Sequence, residues 1–365
     1  MLYKNTDIHT ILDRARDKTM ICFGAGQQLK KACEYFSDIA FFERIDLIAD
    51  NNTDKHSFEF SGVEKPVYSI KMCLQHAAKE PVILITLSDF LAVIEQLDRI
   101  PELNACECYV YAFIQDLPKP YTLKKNRAKT EQIKIPKRIH YCWFGGKPIR
   151  DDFRSYIETW CKFCPDYEIV RWDESNYDYK QNKYMYEAYR HEKWGFVSDF
   201  ARLDVIYRYG GVYFDTDVEL IRNIDDLLCD DAFCGFESSR FVNNGSGYGA
   251  IAGFQLILEQ MGVYDRISFV DTDGSLNLKT GPLYQTEQLC SLGLRLDGTL
   301  QKIHGMTVYP QDVLSPLAIK TGILSITGNT YSIHRYSGTW FDDANFQAKE
   351  EHLYNTQFLS ARFQG

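Results

Sequence analysis

Over the first 117 residues, short apolar runs alternate with amphipathic stretches, and most runs stop at Gly, Asp or Asn. Thr19–Phe23, Ile45–Ala49, Pro81–Thr86 and Glu107–Phe113 predict four strands. Gln27–Phe36, just after Gly24-Ala-Gly26, predicts a helix. Strands alternating with helical segments indicate a parallel sheet covered on both faces. From Leu117 to Arg138 the pattern lapses. This stretch has prolines at 118, 120 and 136 and eight Lys or Arg against the single Glu131, which reads as an inter-domain connection. Its charge suits solvent, and would also suit an anionic membrane surface or a lipid diphosphate. Alternation then resumes with a strand at Arg138–Phe144, a helix at Asp151–Phe163 and a strand at Glu168–Trp172. A helix at Phe196–Tyr209 is closed by Gly210-Gly211, the usual punctuation of a helix end, and a strand at Val212–Asp217 follows. The expected fold class is therefore α/β, with a parallel-sheet domain at 1–117, a basic Pro-containing linker at 118–134 and a second α/β domain at 135–365.

Composition narrows the functional classes. The chain has 365 residues, 45% hydrophobic and 25% charged, as in soluble proteins with sizeable cores. At about 150 residues per domain, two domains are expected. Disordered, collagenous and disulfide-framework classes are excluded. The net charge of −9 argues against a nucleic-acid partner held through its backbone. Aromatic residues make up 14%, and flat amphipathic rings suit sugar and base stacking as well as cores. No apolar run reaches the ~18 residues that read as a membrane-spanning helix. The start, Met1-Leu-Tyr-Lys-Asn, has no secretory pattern. A cytoplasmic location with eleven reduced cysteines is the resulting expectation. Cys161-x-x-Cys164 is the one pair with metal spacing, and it offers two ligands where a zinc site needs four.

The chemistry concentrates in residues 196–219. The helix there is apolar nearly all round, which marks it as buried, and charges on a buried helix must be paired or meet a ligand. Asp204 and Arg208 sit four apart and Asp199 and Arg202 three apart, so each pair shares a face. The following strand, Val212-Tyr-Phe-Asp215-Thr-Asp217, runs abruptly into two carboxylates. Alternation along a strand would point both to one side. Facing carboxylates need a cation close by, and oxygen ligands suit Mg²⁺ or Mn²⁺, ions that commonly bridge to a diphosphate.

Ser198-Asp199-x-x-Arg202 with Gly210-Gly211-Val-Tyr213-x-Asp215-x-Asp217 resembles the Asp-x-Asp glycosyltransferases of family 32, relatives of the large clostridial glucosylating toxins. Ile135-Pro-Lys-Arg-Ile-His-Tyr-Cys-Trp143-Phe-Gly-Gly146, Trp160-Cys-Lys-Phe-Cys-Pro-Asp-Tyr-Glu168 and His334-Arg-Tyr-Ser-Gly-Thr-Trp340 extend the likeness over residues 135 to 342. The resemblance implies a GT-A domain, a nucleotide-sugar donor such as a UDP-sugar, Mn²⁺ or Mg²⁺, and retention at the anomeric carbon. It implies Asp217 as a direct metal ligand, with Asp215 reaching the ribose and the metal's water shell. His334 would be a further metal or diphosphate contact. Asp199 and Arg202 would hold hydroxyls of the donor sugar, and Trp143 would stack on the base. Tyr213 would pack beside the nucleoside, and Trp340 would donate near the leaving phosphate. Ser337 and Thr339 are both open as tail contacts. Glu237 is the remaining carboxylate for the acceptor side, with Asn243 and Asn244 beside it. Thr280, in Lys279-Thr-Gly-Pro282, resembles an acceptor-site residue. His140, on a strand, reads as a satisfied core residue.

The first domain resembles small Rossmann-like modules of polysaccharide enzymes. Its Gly24-Ala-Gly26-Gln-Gln-Leu29 lacks the third glycine of a dinucleotide fingerprint, although Asp50 ends the second strand where a ribose-binding acid would sit. The leading expectation is a metal-dependent, retaining transferase building a bacterial surface glycan. Its oligosaccharide acceptor would be lipid-linked at the inner face of the membrane. Three alternatives stand beside it. They are a toxin-like protein glycosyltransferase, an NAD(P)-dependent oxidoreductase working through the first domain, and a nucleotide-binding regulator without catalysis.

Overall fold

A computed structural model describes residues 1–337 apart from 5, 53, 88, 89, 115–120, 320 and 321. Its described residues fall into two compact units that part between residues 114 and 121.

The first unit contains β1 (Leu2–Tyr3), α1 (Ile8–Arg14), β2 (Thr19–Phe23), α2 (Gln27–Tyr35) and β3 (Leu47–Ala49). A hairpin follows, β4 (Ser57–Phe60) and β5 (Val63–Tyr68), then α3 (Ile70–His76), β6 (Pro81–Ile85), α4 (Leu91–Asp98) and β7 (Glu107–Val110). The strand order is β1-β7-β6-β2-β3-β5-β4, parallel except where β4 pairs antiparallel with β5. The chain runs outward from β2 through β3 and β5, then returns to β6 on the other side of β2. That reversal is the switch point of a doubly wound sheet. β2 is buried along its whole length, as its unbroken apolar run requires of a central strand. Two of the expected strands are shorter than their apolar runs. Ile45 closes a 3₁₀ turn before β3 begins, and a second 3₁₀ turn at Tyr111–Phe113 follows β7.

The second unit begins with β8 (Arg138–Cys142), α5 (Asp151–Phe163), β9 (Glu168–Trp172), α6 (Lys183–Arg190) and α7 (Trp194–Tyr209). It continues through β10 (Gly211–Tyr213), β11 (Val218–Leu220), β12 (Ala232–Phe236), β13 (Val242–Asn243), β14 (Tyr248–Ala250), α8 (Gln255–Tyr264) and α9 (Gly281–Ser291). β15 (Gln301–Ile303), β16 (Met306–Tyr309), α10 (Gln311–Leu314) and β17 (Ser332–His334) complete the described part. The main sheet is mixed, in the order β15-β16-β12-β14-β10-β8-β9, with β13 alongside β12, while β11 and β17 form a separate pair. This α/β sandwich agrees with the fold class expected for the domain.

Period-two alternation builds its two cores. Tyr213 turns toward the cluster formed with α6, α7, α8 and α9, whereas Val212 and Phe214 turn toward the cluster around Trp160 of α5. Residues 196–206 of α7 are all buried, as the continuous apolar pattern requires. The Gly210-Gly211 doublet then lets the chain turn straight into β10. Both glycines have positive φ, and a Cβ on Gly211 would stand 2.7 Å from the Arg138 carbonyl oxygen.

The basic stretch is laid against the second unit and is not a free connection. Arg127 pairs with Glu131 and with Asp230 at 3.0 Å, and Lys124 also meets Glu131. Lys134 pairs with Asp231, and Lys137 with Asp166 and Asp225. The Asp226 carboxylate accepts from the backbone N–H groups of Asn126 and Ala128. Charge that reads as a membrane-binding patch is therefore largely spent on the protein's own carboxylates. Cys161 is exposed and Cys164 buried. No described helix is long and apolar enough to cross a membrane.

Candidate active site

The carboxyl ends of the parallel strands β8 and β10, in register at Tyr213 and His140, define the edge where the site forms. Ligands in open α/β sheets characteristically bind outside such strand ends.

The two aspartates converge, but not by strand alternation. β10 stops at Tyr213, and Asp215 and Asp217 lie in the turn that leads to β11. The Asp215 N–H leaves the ladder and donates to the Gly245 carbonyl at 2.8 Å, and Val218 N–H closes the turn onto the Asp215 carbonyl at 3.1 Å. The Asp215 side chain is 29% exposed, whereas that of Asp217 is nearly covered. β17 pairs with β11 so that His334 stands opposite Val218, which carries the imidazole to Asp217 across 117 residues of sequence. His334 Nε2 lies 3.1 Å from Asp217 Oδ1, and the Ser337 N–H donates to Oδ2 at 2.7 Å. Burial works against charge on both partners. Their mutual attraction outweighs it, holding the Asp217 carboxyl below its ordinary value and the His334 imidazolium above its own.

Asp215, Asp217 and His334 each offer one ligand atom, and these atoms lie within 4.8 Å of one another. Two carboxylates from one turn and an imidazole from β17 form a donor set that a divalent cation can draw together, and one carboxylate is partly exposed. The residues present therefore fit Mn²⁺ or Mg²⁺.

Behind this cluster Arg202 forms the hub. Its guanidinium is buried, 3.3 Å from Asp215, 3.4 Å from Asp199 and 2.9 Å from Asn244 Oδ1, and it lies over the Tyr213 ring. Asp199 also accepts the Gly281 N–H at 3.1 Å, which anchors the first peptide of α9. Burial raises the Asp199 carboxyl to about 6, and the attraction of Arg202 only partly offsets this. Asp204 and Arg208 satisfy each other at 2.8 Å, with the Tyr177 hydroxyl also donating to Asp204.

Two expected ligand contacts are placed otherwise. Tyr213 is 1% exposed, and its hydroxyl donates to Asp215 at 3.0 Å. Asn244 is also 1% exposed and is committed to Arg202. Glu237 is buried and accepts from Ser239 and from Asn243 Nδ2. Trp143, just beyond β8, is half-buried. Its indole N–H donates to the Lys147 carbonyl, and its ring packs edge-on with Phe153. Thr280 stands at the residue before the first turn of α9, next to the Asp199 anchor, without a side-chain capping bond. Thr339 and Trp340 lie outside the described residues. His140 is a core residue, held between Trp172 and the Gly210 carbonyl.

Sequence reasoning placed Asn243 and Asn244 beside Glu237 but missed Gly245 and Ser246, and the four consecutive residues each hold a different group of the site. Asn243 donates to Glu237, Asn244 accepts from Arg202, Gly245 accepts from Asp215 N–H, and Ser246 Oγ lies 2.9 Å from His334 Nδ1. It also missed Tyr336, which has a positive φ and whose ring packs on His334 with centroids 4.1 Å apart. Gly245 and Ser246 read from sequence only as part of an Asn-Gly turn.

Residues 150–234 match the family described as the glycosyltransferase sugar-binding region containing DXD motif. The matched span holds Asp199, Arg202, Tyr213, Asp215 and Asp217, and the chain carries that region as the motif resemblance implied. Inositol phosphoceramide mannosyltransferase 3 of Schizosaccharomyces pombe is 28% identical over 156 residues, 41% of this chain and 43% of that protein. Mannosyl phosphorylinositol ceramide synthase SUR1 of Saccharomyces cerevisiae is 27% identical over 157 residues, 41% and 40% of the two chains. The chain thus matches less than half the length of either curated relative. Among solved structures, the PaToxG glycosyltransferase is similar at 18% identity and a TM-score of 0.35, over 45% of this chain and 71% of that one. A glycosyltransferase involved in glycosylation of the major capsid of PBCV-1 is similar at 10% identity and a TM-score of 0.33, over 59% and 98%.

Proposed function

We propose that this chain, a carrier of the DXD sugar-binding region of glycosyltransferases, moves a hexose or N-acetylhexosamine from a nucleotide sugar to a glycan acceptor. The donor is a UDP-sugar, the ion Mn²⁺ or Mg²⁺, and the anomeric configuration is retained. The carrying observation is the meeting of Asp215, Asp217 and His334 beside the buried Asp199–Arg202 pair.

Asp215, Asp217 and His334 hold the ion, which when bound offsets the charge that builds on the leaving diphosphate. Arg202 keeps Asp215 in place from behind. Asp199 and Arg202 form the floor under the donor sugar. With its N–H already engaged, Trp143 offers a ring face to the base. Glu237 lies on the acceptor side. Asp199 and Glu237 are both buried and already bonded, so neither is poised as a nucleophile. Attack therefore comes from the leaving-group face. The bond from the anomeric carbon to phosphate oxygen breaks, the bond to the acceptor oxygen forms, and the acceptor's proton passes to the departing phosphate.

The biological setting of this reading is bacterial surface polysaccharide synthesis at the cytoplasmic side of the membrane, with a lipid-linked oligosaccharide as acceptor. The names of the two yeast relatives, which pair mannose with a ceramide lipid, support a lipid-borne acceptor and add a mannosyl donor to those worth testing.

The test is donor hydrolysis across UDP-glucose, UDP-galactose, UDP-N-acetylglucosamine and GDP-mannose with Mn²⁺. One donor should be hydrolysed, and EDTA should abolish the activity. Hydrolysis of none, with no thermal shift from Mn²⁺ plus nucleotide, would remove the proposal.

A further inference from the structure

Three groups surround the His334 imidazole. Nε2 faces Asp217, Nδ1 faces Ser246 Oγ at 2.9 Å, and Tyr336 packs on the ring. Packing alone does not tell the ring's two flipped orientations apart. A half-turn exchanges Nδ1 with Cδ2 and Nε2 with Cε1, so Tyr336 would see nearly the same flat surface. The edges decide. In the flipped ring, carbon would face both Ser246 and Asp217, and two buried hydrogen bonds would be lost. Each such loss carries the desolvation penalty of an unmet polar group. Ser246 has no exposed surface, so water cannot take its place.

We infer that Ser246 is a positioning residue for the cation site: its hydroxyl fixes the flip of the His334 ring and so presents Nε2 as the third ligand beside Asp215 and Asp217. A hydroxyl suits this place because it both donates and accepts. With Nε2 on a metal, Nδ1 carries the hydrogen and donates to Oγ. Histidine ligands generally depend on such a partner at the second ring nitrogen. The inference rests on the proposed metal dependence and adds a residue outside the Asp-x-Asp motif. Ser246 adjoins Gly245, which holds the Asp215 N–H, so one short segment positions two of the three ligands.

The test uses Mn²⁺ alone on the intact protein, without donor. Free Mn²⁺ is counted by EPR, and nitrogen coupling to the bound ion is read by electron spin echo modulation. Wild type should show coupling from one imidazole, and H334A should lose it. S246A should bind Mn²⁺ about 10- to 100-fold more weakly, with the nitrogen coupling reduced or lost. S246T, which keeps the hydroxyl, should restore both. Metal-free melting curves check that S246A remains folded. Unchanged affinity and coupling in S246A, or an equal loss in S246T, would overturn the role of Ser246 while leaving metal dependence intact. Failure of wild type to bind Mn²⁺ would instead sink the metal-dependent reading, and this inference with it.

Discussion

Gly245 lies so close under Asp215 that a Cβ added to it would stand 1.9 Å from Asp215 Oδ2 and 3.1 Å from Arg202 Nη1. The neighbour that would have to yield is a carboxylate held by Arg202 and by the Tyr213 hydroxyl. Gly245→Ala should therefore displace Asp215 and weaken Mn²⁺ binding by at least about tenfold, since a misoriented ligand costs that much in comparable sites. Calorimetric titration of Mn²⁺ into the variant checks this. Wild-type affinity would mean that Asp215 does not hold the ion.

Arg202 is the only cation described beside the buried Asp199 carboxylate and also steadies Asp215. Arg202→Ala removes one member of a buried charge cluster and strands Asp199, a change that typically costs about 3–5 kcal/mol. The double variant Arg202→Ala/Asp199→Asn should recover part of that loss, because the stranded charge is gone. Urea denaturation of the two variants measures the difference. Both should lose donor hydrolysis, so recovery of stability without recovery of activity is the expected pattern.

Much of this site was legible because its parts are local. An apolar helix with two charge pairs, a glycine doublet and two aspartates all lie within residues 196–219, and periodicity with spacing reads them together. Alternation failed at Asp215 and Asp217 because Val-Tyr-Phe-Asp-Thr-Asp carries a strand's pattern, while the Asp215 N–H bonds to a carbonyl thirty residues away. That partner, Gly245, acts through its backbone and through having no side chain, features a motif does not record. His334 could be approached only through family resemblance, since pairing of β17 with β11 is what brings it to Asp217. The basic stretch misled for a similar reason, because Asp225, Asp226, Asp230 and Asp231 that neutralise it lie about a hundred residues on.

The first unit yields a prediction about dinucleotides. Asp50, placed where a ribose-binding acid would sit, accepts from the Ala25 and Asn52 N–H groups and pairs with Lys55 at 3.0 Å. These bonds hold its carboxyl below the ordinary range despite burial, so a ribose would have to displace several of them at once. NADH and NADPH should leave the melting temperature unchanged, whereas Mn²⁺ with the correct nucleotide sugar should raise it. A shift with NADH alone would move the oxidoreductase alternative ahead.

Acid should find His140. The Trp172 indole N–H donates to its Nδ1 at 3.0 Å, so the ring's own hydrogen sits on Nε2 and donates to the Gly210 carbonyl at 2.9 Å. A second proton would have to enter at Nδ1, facing an N–H in a fully buried place, and burial lowers the imidazole from 6.5 to about 4. A folded-state value below the unfolded one means that the neutral ring's contribution is complete above pH 6.5. It is then lost as the pH falls toward 4, because the unfolded chain takes up the proton first. At about 1.4 kcal/mol per pH unit, the loss across that window is about 3 kcal/mol. Carboxylates also protonate at the lower end, so the comparison that isolates the ring is His140→Gln, which keeps a donor and an acceptor without titrating. Its stability at pH 7 should be below wild type, and the gap should narrow between pH 6.5 and 4. Parallel curves for the two proteins would show that the doublet at Gly210 is not guarded by a neutral histidine.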